Sequence, residues 1–174
     1  MDRNIVLIGL SGTGKTTIGK MLSERLGMKF IDTDKLIEKA VGKSIKYIFD
    51  QYGEDYFRVL ENKTVRVISR LRGYVIATGG GMVAYSGNIR RLKRNGILIN
   101  LKSSTGSILK RLSKSALEER PLLDTENPAY AIRKLLEKRR RYYNRAEYVI
   151  RVDHKAPEKI TREIVMLLSK KLHI

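Results

Sequence analysis

The run Gly9-Leu10-Ser11-Gly12-Thr13-Gly14-Lys15-Thr16 leaves this chain few folds to choose from. The apolar run Ile5-Val6-Leu7-Ile8 precedes it, and a helical pattern from Thr17 to Leu26 follows. Strand, glycine loop and helix, in that order, are the context in which G-x-x-x-x-G-K-[ST] holds phosphate. Glycine admits backbone angles that a Cβ forbids, so successive N–H groups can point into one concavity. The helix start adds its partial positive charge. Lys15 can reach the outer phosphates, and the Thr16 hydroxyl can bind Mg²⁺. A glycine-rich turn with a chance lysine would lack the flanking strand and helix. The stretch Gly12, Thr13, Gly14, Lys15, Thr16 and Thr17 is therefore the candidate nucleotide site. What is transferred, and to what, must be read elsewhere.

A chain of 174 residues, 42% apolar, suits one domain with its own core. No window approaches the 18 or more apolar residues of a membrane span. Met1-Asp2-Arg3-Asn4 runs straight into the first strand, without a signal-peptide pattern. The absence of cysteine excludes disulfides and thiolate metal sites, and suits a reducing cytoplasm. The charge is lopsided. Residues 1–89 carry 14 basic and 9 acidic side chains, and residues 90–174 carry 22 and 9, which sums to +18. Such a surplus fits nucleic acid, small anionic substrates or a solvated Lys/Arg-rich surface. Aromatic residues do not interleave with the basic ones, except at Tyr142-Tyr143, so nucleic acid is the weakest of the three.

Apolar runs alternate with helical patterns along the whole chain. Strands are predicted at residues 5–8, 29–32, 74–78, 97–101 and 148–152. Helices are predicted at 17–26, 34–41, from Ser44, 54–71, 89–94, 104–112 and 129–145, and from Pro157 to the C-terminus. Residues 113–128 are polar and read as irregular. This alternation predicts an α/β fold, a three-layer α/β/α sandwich around a five-stranded parallel sheet. Ligands in such sheets bind beyond the carboxyl ends of the strands. The glycine loop, Asp32 and the Gly79-Gly80-Gly81 turn all fall there.

Several side chains near that edge carry chemistry. Asp32 and Asp34 end the second strand. Taken alone, Asp34 reads equally well as a helix cap or as the group that accepts a hydroxyl proton; the pair beside a phosphate loop tilts it towards function, and Asp32 could hold Mg²⁺. The three glycines read as a turn that a ligand's atoms approach closely. Arg58 and Glu61 share a helix face, either as a solvated pair or as a braced guanidinium that grips a carboxylate. Arg120-Pro121-Leu122-Leu123 lies in the irregular stretch, where an arginine on a lid could reach the transferring phosphate. Of Lys138-Arg139-Arg140-Arg141, at most two can face one site, since a helix spreads them around its axis.

In their order and approximate spacing, these residues resemble the shikimate kinases over nearly the whole chain. The triple glycine, the arginine–glutamate helix and the Arg-Pro-Leu-Leu lid are specific in combination. The resemblance implies the nucleoside monophosphate kinase fold and ATP-dependent phosphorylation of the 3-hydroxyl of shikimate, in the route to chorismate. It implies that Lys15 and Arg120 stabilise the transferring group, with Asp34 as base, and that Thr16 and Asp32 manage Mg²⁺. It implies that Asp34, Arg58, Gly79, Gly80, Gly81 and Arg139 bind shikimate. Arg111 would stack on adenine, and Arg151 with its neighbours would close the adenine pocket. Arg139 is chosen although the family has a proline after this arginine, where this chain has Arg140. The interval from Arg111 to Arg120 is slightly long for the family, which implies a small insertion in a lid at 113–128. The acceptor region would span about 33–61, within one domain of 174 residues. A monomer in the cytoplasm, bound to neither membrane nor nucleic acid, completes the expectation. Another small-molecule or nucleotide kinase of the same fold is the alternative.

Overall fold

The computed structural model describes residues 2–85 and 87–172. Five strands form one parallel sheet: β1 (Asn4–Ile8), β2 (Lys29–Asp32), β3 (Tyr74–Ala77), β4 (Gly96–Lys102) and β5 (Tyr148–Arg151). Their order is β2-β3-β1-β4-β5. Strand β1 lies at the centre and is buried throughout, with Ile5 opposite Val75 on one side and Ile97 on the other. Alternation splits its residues between two cores. Ile5 and Leu7 pack with Ile18 and Leu22 of α1 (Lys15–Leu26) and with Ile160, Ile164 and Leu168 of α8 (Pro157–Leu172). Val6 and Ile8 pack on the other face with Val65 and Ile68 of α3 (Ile45–Ile68), Ile89 and Leu92 of α4 (Asn88–Asn95), and Tyr143 of α7 (Pro128–Tyr143). The three-layer arrangement and the parallel sheet are as the alternation predicts.

The remaining helices are α2 (Thr33–Val41), α5 (Thr105–Arg111) and α6 (Lys114–Glu118). Helix α3 is broken at Gly53, whose φ of 78° and ψ of 174° are non-helical. This matches the two helices expected there. The second of them stops at Ile68 rather than Leu71, because Arg70 and Leu71 bond back three residues, to Val67 and Ile68, and tighten the turn. The predicted irregular stretch contains α6, capped by the Ser113 hydroxyl, which accepts from Ala116 N–H at 3.2 Å. Five residues of polar composition carry too little periodicity to be seen in sequence. Beyond α6, Leu123 is buried with Leu10, Ile108 and Ile132, and pins the stretch to the body of the protein. The last helix reaches Leu172, and the expectation for residues 173–174 lies outside the described residues. No helix among the described residues is long and apolar enough to cross a membrane.

All five strands run the same way, so one edge of the sheet collects every strand-to-helix loop. The glycine loop follows β1, Asp32 closes β2, Thr78 follows β3, and Ser103 follows β4.

Candidate active site

That edge opens into a cleft of about 1190 Å³. Residues 10–18, Asp32, Asp34, Arg58, Glu61, 78–81, Arg111, 119–123 and Arg139 line it. Every candidate residue named from the sequence is among them except Arg151. Strand β5 lies at the edge of the sheet, and alternation places exposed Arg151 opposite buried Ile150. Its neighbours serve the cleft instead. The Val152 carbonyl accepts from Arg111 Nη2 at 2.5 Å, and Asp153 Oδ1 accepts from Ser103 Oγ at 2.8 Å and Ser104 N–H at 2.9 Å. Burial opposes the Asp153 charge, but these hydrogen bonds hold its carboxyl well below the usual range.

In the phosphate loop, Gly14 takes φ 91° and hands over to α1 at Lys15. Thr13 Oγ1 donates to Leu10 O at 2.9 Å, which tightens the turn. Lys15 is buried, and its ammonium donates to the carbonyls of Gly9 at 2.8 Å and Leu10 at 2.9 Å. Burial lowers its pKa to about 8, against the opposing pull of Asp34 and Asp32.

The acidic pair resolves into two roles. Asp32 is the helix cap: its Oδ1 accepts from Asp34 N–H at 3.0 Å and Lys35 N–H at 3.3 Å. Its Oδ2 accepts from Thr16 Oγ1 at 2.6 Å. Asp34, weighed as a cap from sequence, sits inside the first turn of α2 instead. Its Oδ1 is buried and makes no hydrogen bond. Burial, with the Asp32 charge beside it, raises its pKa to about 6 against the pull of Lys15.

Across the cleft, Arg58 is braced from two directions. Glu61 Oε2 accepts from its Nη1 at 2.5 Å, and Glu54 Oε1 accepts from Nη2 at 2.6 Å and Nε at 3.1 Å. Burial opposes the guanidinium charge, but the two carboxylates outweigh it and raise the Arg58 pKa. Burial also raises Glu61 to about 7 in spite of Arg58, and its Oε1 stays without a partner. Of the basic run on α7, only Arg139 turns inward, at 6% exposure, while Lys138, Arg140 and Arg141 are exposed. One turn on, the Tyr143 hydroxyl donates to Gly80 O at 2.6 Å. Burial raises its pKa, against the pull of nearby Arg139.

The triple glycine is explained by side chains of the protein itself. A Cβ on Gly79 would collide with Asp34 Oδ1 and lie 3.0 Å from Glu61 Oε1. One on Gly81 would lie 2.5 Å from Arg58 Nη1, and one on Gly80 would lie 3.0 Å from Ser11 N. The turn thus lets both carboxylates, the guanidinium and the phosphate loop meet at one point. Just after α6, Arg120 lines the cleft and donates through Nη1 to Ala116 O.

Three residues of this frame escape a reading of the sequence. Buried Thr33 accepts from Gly79 N–H at 2.8 Å through its Oγ1 and ties α2 to the glycine turn. Nothing local announces that contact. Glu54 stands four residues before Arg58, a spacing that could have revealed it. Tyr143 follows Arg139 by four, on the same helix face.

The cleft has two unlike halves. One can hold a chain of phosphates. The other, lined by Arg58 and Arg139, can hold an anion. That division defines the class: a P-loop phosphotransferase acting on a small molecule. Comparison with known proteins agrees. The family model described as shikimate kinase matches residues 11–169. The shikimate kinase of Caldanaerobacter subterraneus subsp. tengcongensis is 48% identical over 97% of both chains. The solved structure of shikimate kinase from Acinetobacter baumannii in complex with shikimate is 35% identical and superposes at TM-score 0.94, over 98% of this chain and 95% of that one. A gluconokinase from Sinorhizobium meliloti superposes at TM-score 0.62 with 17% identity, over 99% and 96% of the two chains, which speaks for the fold alone. The chain belongs to the shikimate kinase family.

Proposed function

We propose that this enzyme transfers the γ-phosphoryl group of ATP to the 3-hydroxyl of shikimate, giving shikimate 3-phosphate and ADP on the route to chorismate. The observation that carries the reading is the acceptor half of the cleft. Two buried guanidiniums, Arg58 and Arg139, line the same cleft as Asp34, whose Oδ1 is unpartnered. A ligand carboxylate can take the N–H donors that Glu54 and Glu61 leave free on Arg58, together with Arg139, while its hydroxyl meets Asp34 Oδ1, a buried polar atom that is costly to leave alone.

The roles follow from placement. The N–H groups from Gly12 to Thr17 cradle the phosphates. Arg58 and Arg139 grip the shikimate carboxylate, with Gly79, Gly80 and Gly81 walling the ring. Asp34 is mainly ionised at neutral pH and accepts the proton of the attacking hydroxyl. Lys15 remains mainly protonated there and, with Arg120, stabilises charge on the phosphoryl group as the β–γ bridge breaks and ADP departs. Arg111, anchored to Ser103 and Val152, faces adenine.

Thr16 and Asp32 suit Mg²⁺, since both offer hard oxygens and stand 2.6 Å apart. Among the described residues no group of three or more acidic or histidine side chains gathers, so phosphate oxygens and water would complete the shell. Bound there, the ion would neutralise charge on the phosphates. Residues 113–128 act as the lid and 33–61 as the acceptor region of one domain. The enzyme is read as a monomer working in the cytoplasm.

A coupled assay of ADP release tests the reading. Turnover is expected with shikimate and not with gluconate or nucleoside monophosphates. Absence of turnover with shikimate would overturn it.

A further inference from the structure

A second concavity, of about 440 Å³, lies between the carboxyl-terminal ends of α3 and α4. These helices end just before β3 and β4 begin, so the hollow sits at the amino edge of the sheet, opposite the cleft. Arg66, Ser69, Arg70, Arg91, Arg94 and Asn95 line it. No carboxylate does, and none of the four arginines forms an ion pair among the described residues.

The hollow is held in shape. Asn95 Nδ2 donates to Ser69 O at 3.1 Å and fastens the two helix ends together. Arg66 Nε donates to Asn62 Oδ1 at 3.1 Å, Asn62 Nδ2 donates to Asn88 Oδ1 at 2.9 Å, and fully buried Asn88 donates to Met82 O at 3.0 Å. One guanidinium is therefore oriented by a chain of amides that runs into the core. Arg91 lies over Gly87, with Nη1 3.0 Å from the place a Cβ would take. Cations near a helix C-terminus complement its dipole, which accounts for one arginine at each end. Two from each helix, around a shared hollow and without a counter-charge, repel one another and call for an anion.

We propose that this hollow is a second ligand site, taking a small phosphate anion of the inorganic phosphate or pyrophosphate kind. Guanidinium forks match phosphate oxygens in pairs. The lining contains no apolar or aromatic side chain, so the arginine forks are what a ligand meets there. The function is separate from the transfer reaction, because no lining residue belongs to the cleft.

Calorimetric titration of the full chain with inorganic pyrophosphate, under saturating ADP and shikimate so that the phosphate loop is filled, tests the proposal. One further equivalent is expected to bind. The double variant R66Q/R91Q weakens it about tenfold or more, and R66K/R91K recovers part of the loss, while kcat and KM stay at wild-type values. Inorganic phosphate and shikimate 3-phosphate, run as separate titrants, distinguish a free anion from a phosphorylated product. Any one of three results overturns the proposal. The first is no equivalent beyond the active site. The second is unchanged pyrophosphate binding in R66Q/R91Q with a lowered Tm, which leaves the arginines as dipole partners only. The third is displacement by a single-stranded oligonucleotide that binds more tightly than pyrophosphate, which moves the site to nucleic acid.

Discussion

The two edges of the sheet both gather cations, and they treat them differently. At the carboxyl edge, Lys15, Arg58 and Arg139 are 8%, 7% and 6% exposed. Backbone carbonyls answer Lys15, two carboxylates answer Arg58, and Tyr143 stands beside Arg139. At the amino edge, Arg66, Arg70 and Arg94 are exposed, Arg91 is half-buried, and among the described residues no carboxylate pairs with them. A desolvated charge must be held by partners, and those partners fix its geometry. A solvated charge keeps its water and acts mainly through a field that salt screens. The first edge can therefore select one acceptor by shape, and the second can attract an anion but sets fewer constraints on it.

Substitutions at the two edges should separate these regimes. The largest effect among the first set is expected from Gly79→Ala. The new methyl displaces Asp34 and Glu61 together, and kcat/KM falls about 100-fold, the usual cost of moving a catalytic group by about 1 Å. Gly106→Ala is the control, because a Cβ there meets nothing within 4 Å. Equal activity in the two variants would mean that the glycine turn does not set the site. Next comes Arg58→Lys, which keeps the charge and loses the fork. Its shikimate KM should rise about 30-fold with the ATP KM unchanged. A matching rise for ATP would place Arg58 outside acceptor binding.

The pH dependence is smaller per unit. For kcat/KM, activity should fall about tenfold per unit below pH about 6 as Asp34 protonates, and again above pH about 8 as Lys15 loses its proton. Stability should move the other way on the acid side. The folded pKa of Asp34 lies above its ordinary value of 3.8, so the folded protein binds this proton more tightly than the unfolded chain. The stability it contributes is therefore lost as pH rises from about 4 through about 6. Melting curves of the wild type against Asp34→Asn over that range should converge at the acid end. Parallel curves would show that Asp34 is not desolvated as described. The smallest effect belongs to the amino edge. Replacing Arg66, Arg70, Arg91 and Arg94 with glutamine should leave shikimate turnover within about twofold and change stability by about 0.5 kcal/mol or less per residue.

Local features were readable in the sequence, and contacts between distant segments were not. The phosphate loop, the five strands and the break at Gly53 depend on residues within one turn or strand of each other. Arg139 was chosen by its resemblance, although the stripe of Ile132, Leu136 and Tyr143 on α7 marks the face on which it lies. That Asp32 rather than Asp34 caps α2 could not be read, since Asp32 is also held by Thr16, sixteen residues away, and Asp34 is set against the glycine turn. Thr33 is hidden for the same reason, with its partner Gly79 lying 46 residues further on. The short helix α6 falls below the length at which periodicity speaks. Arg151 was placed in the cleft by its resemblance, while strand alternation turns it outward. The arginine hollow joins two helices that meet only in the folded chain, so composition gave its charge but not its location.

The most direct measurement on the central claim compares wild type with Asp34→Asn, following shikimate-dependent ADP release and ATP binding in parallel. Turnover is expected to fall by about 10³-fold or more with ATP binding near the wild-type level, because the base is lost and the phosphate cradle is untouched. Retained turnover in Asp34→Asn would contradict the account and leave Asp34 a structural residue of the first turn of α2.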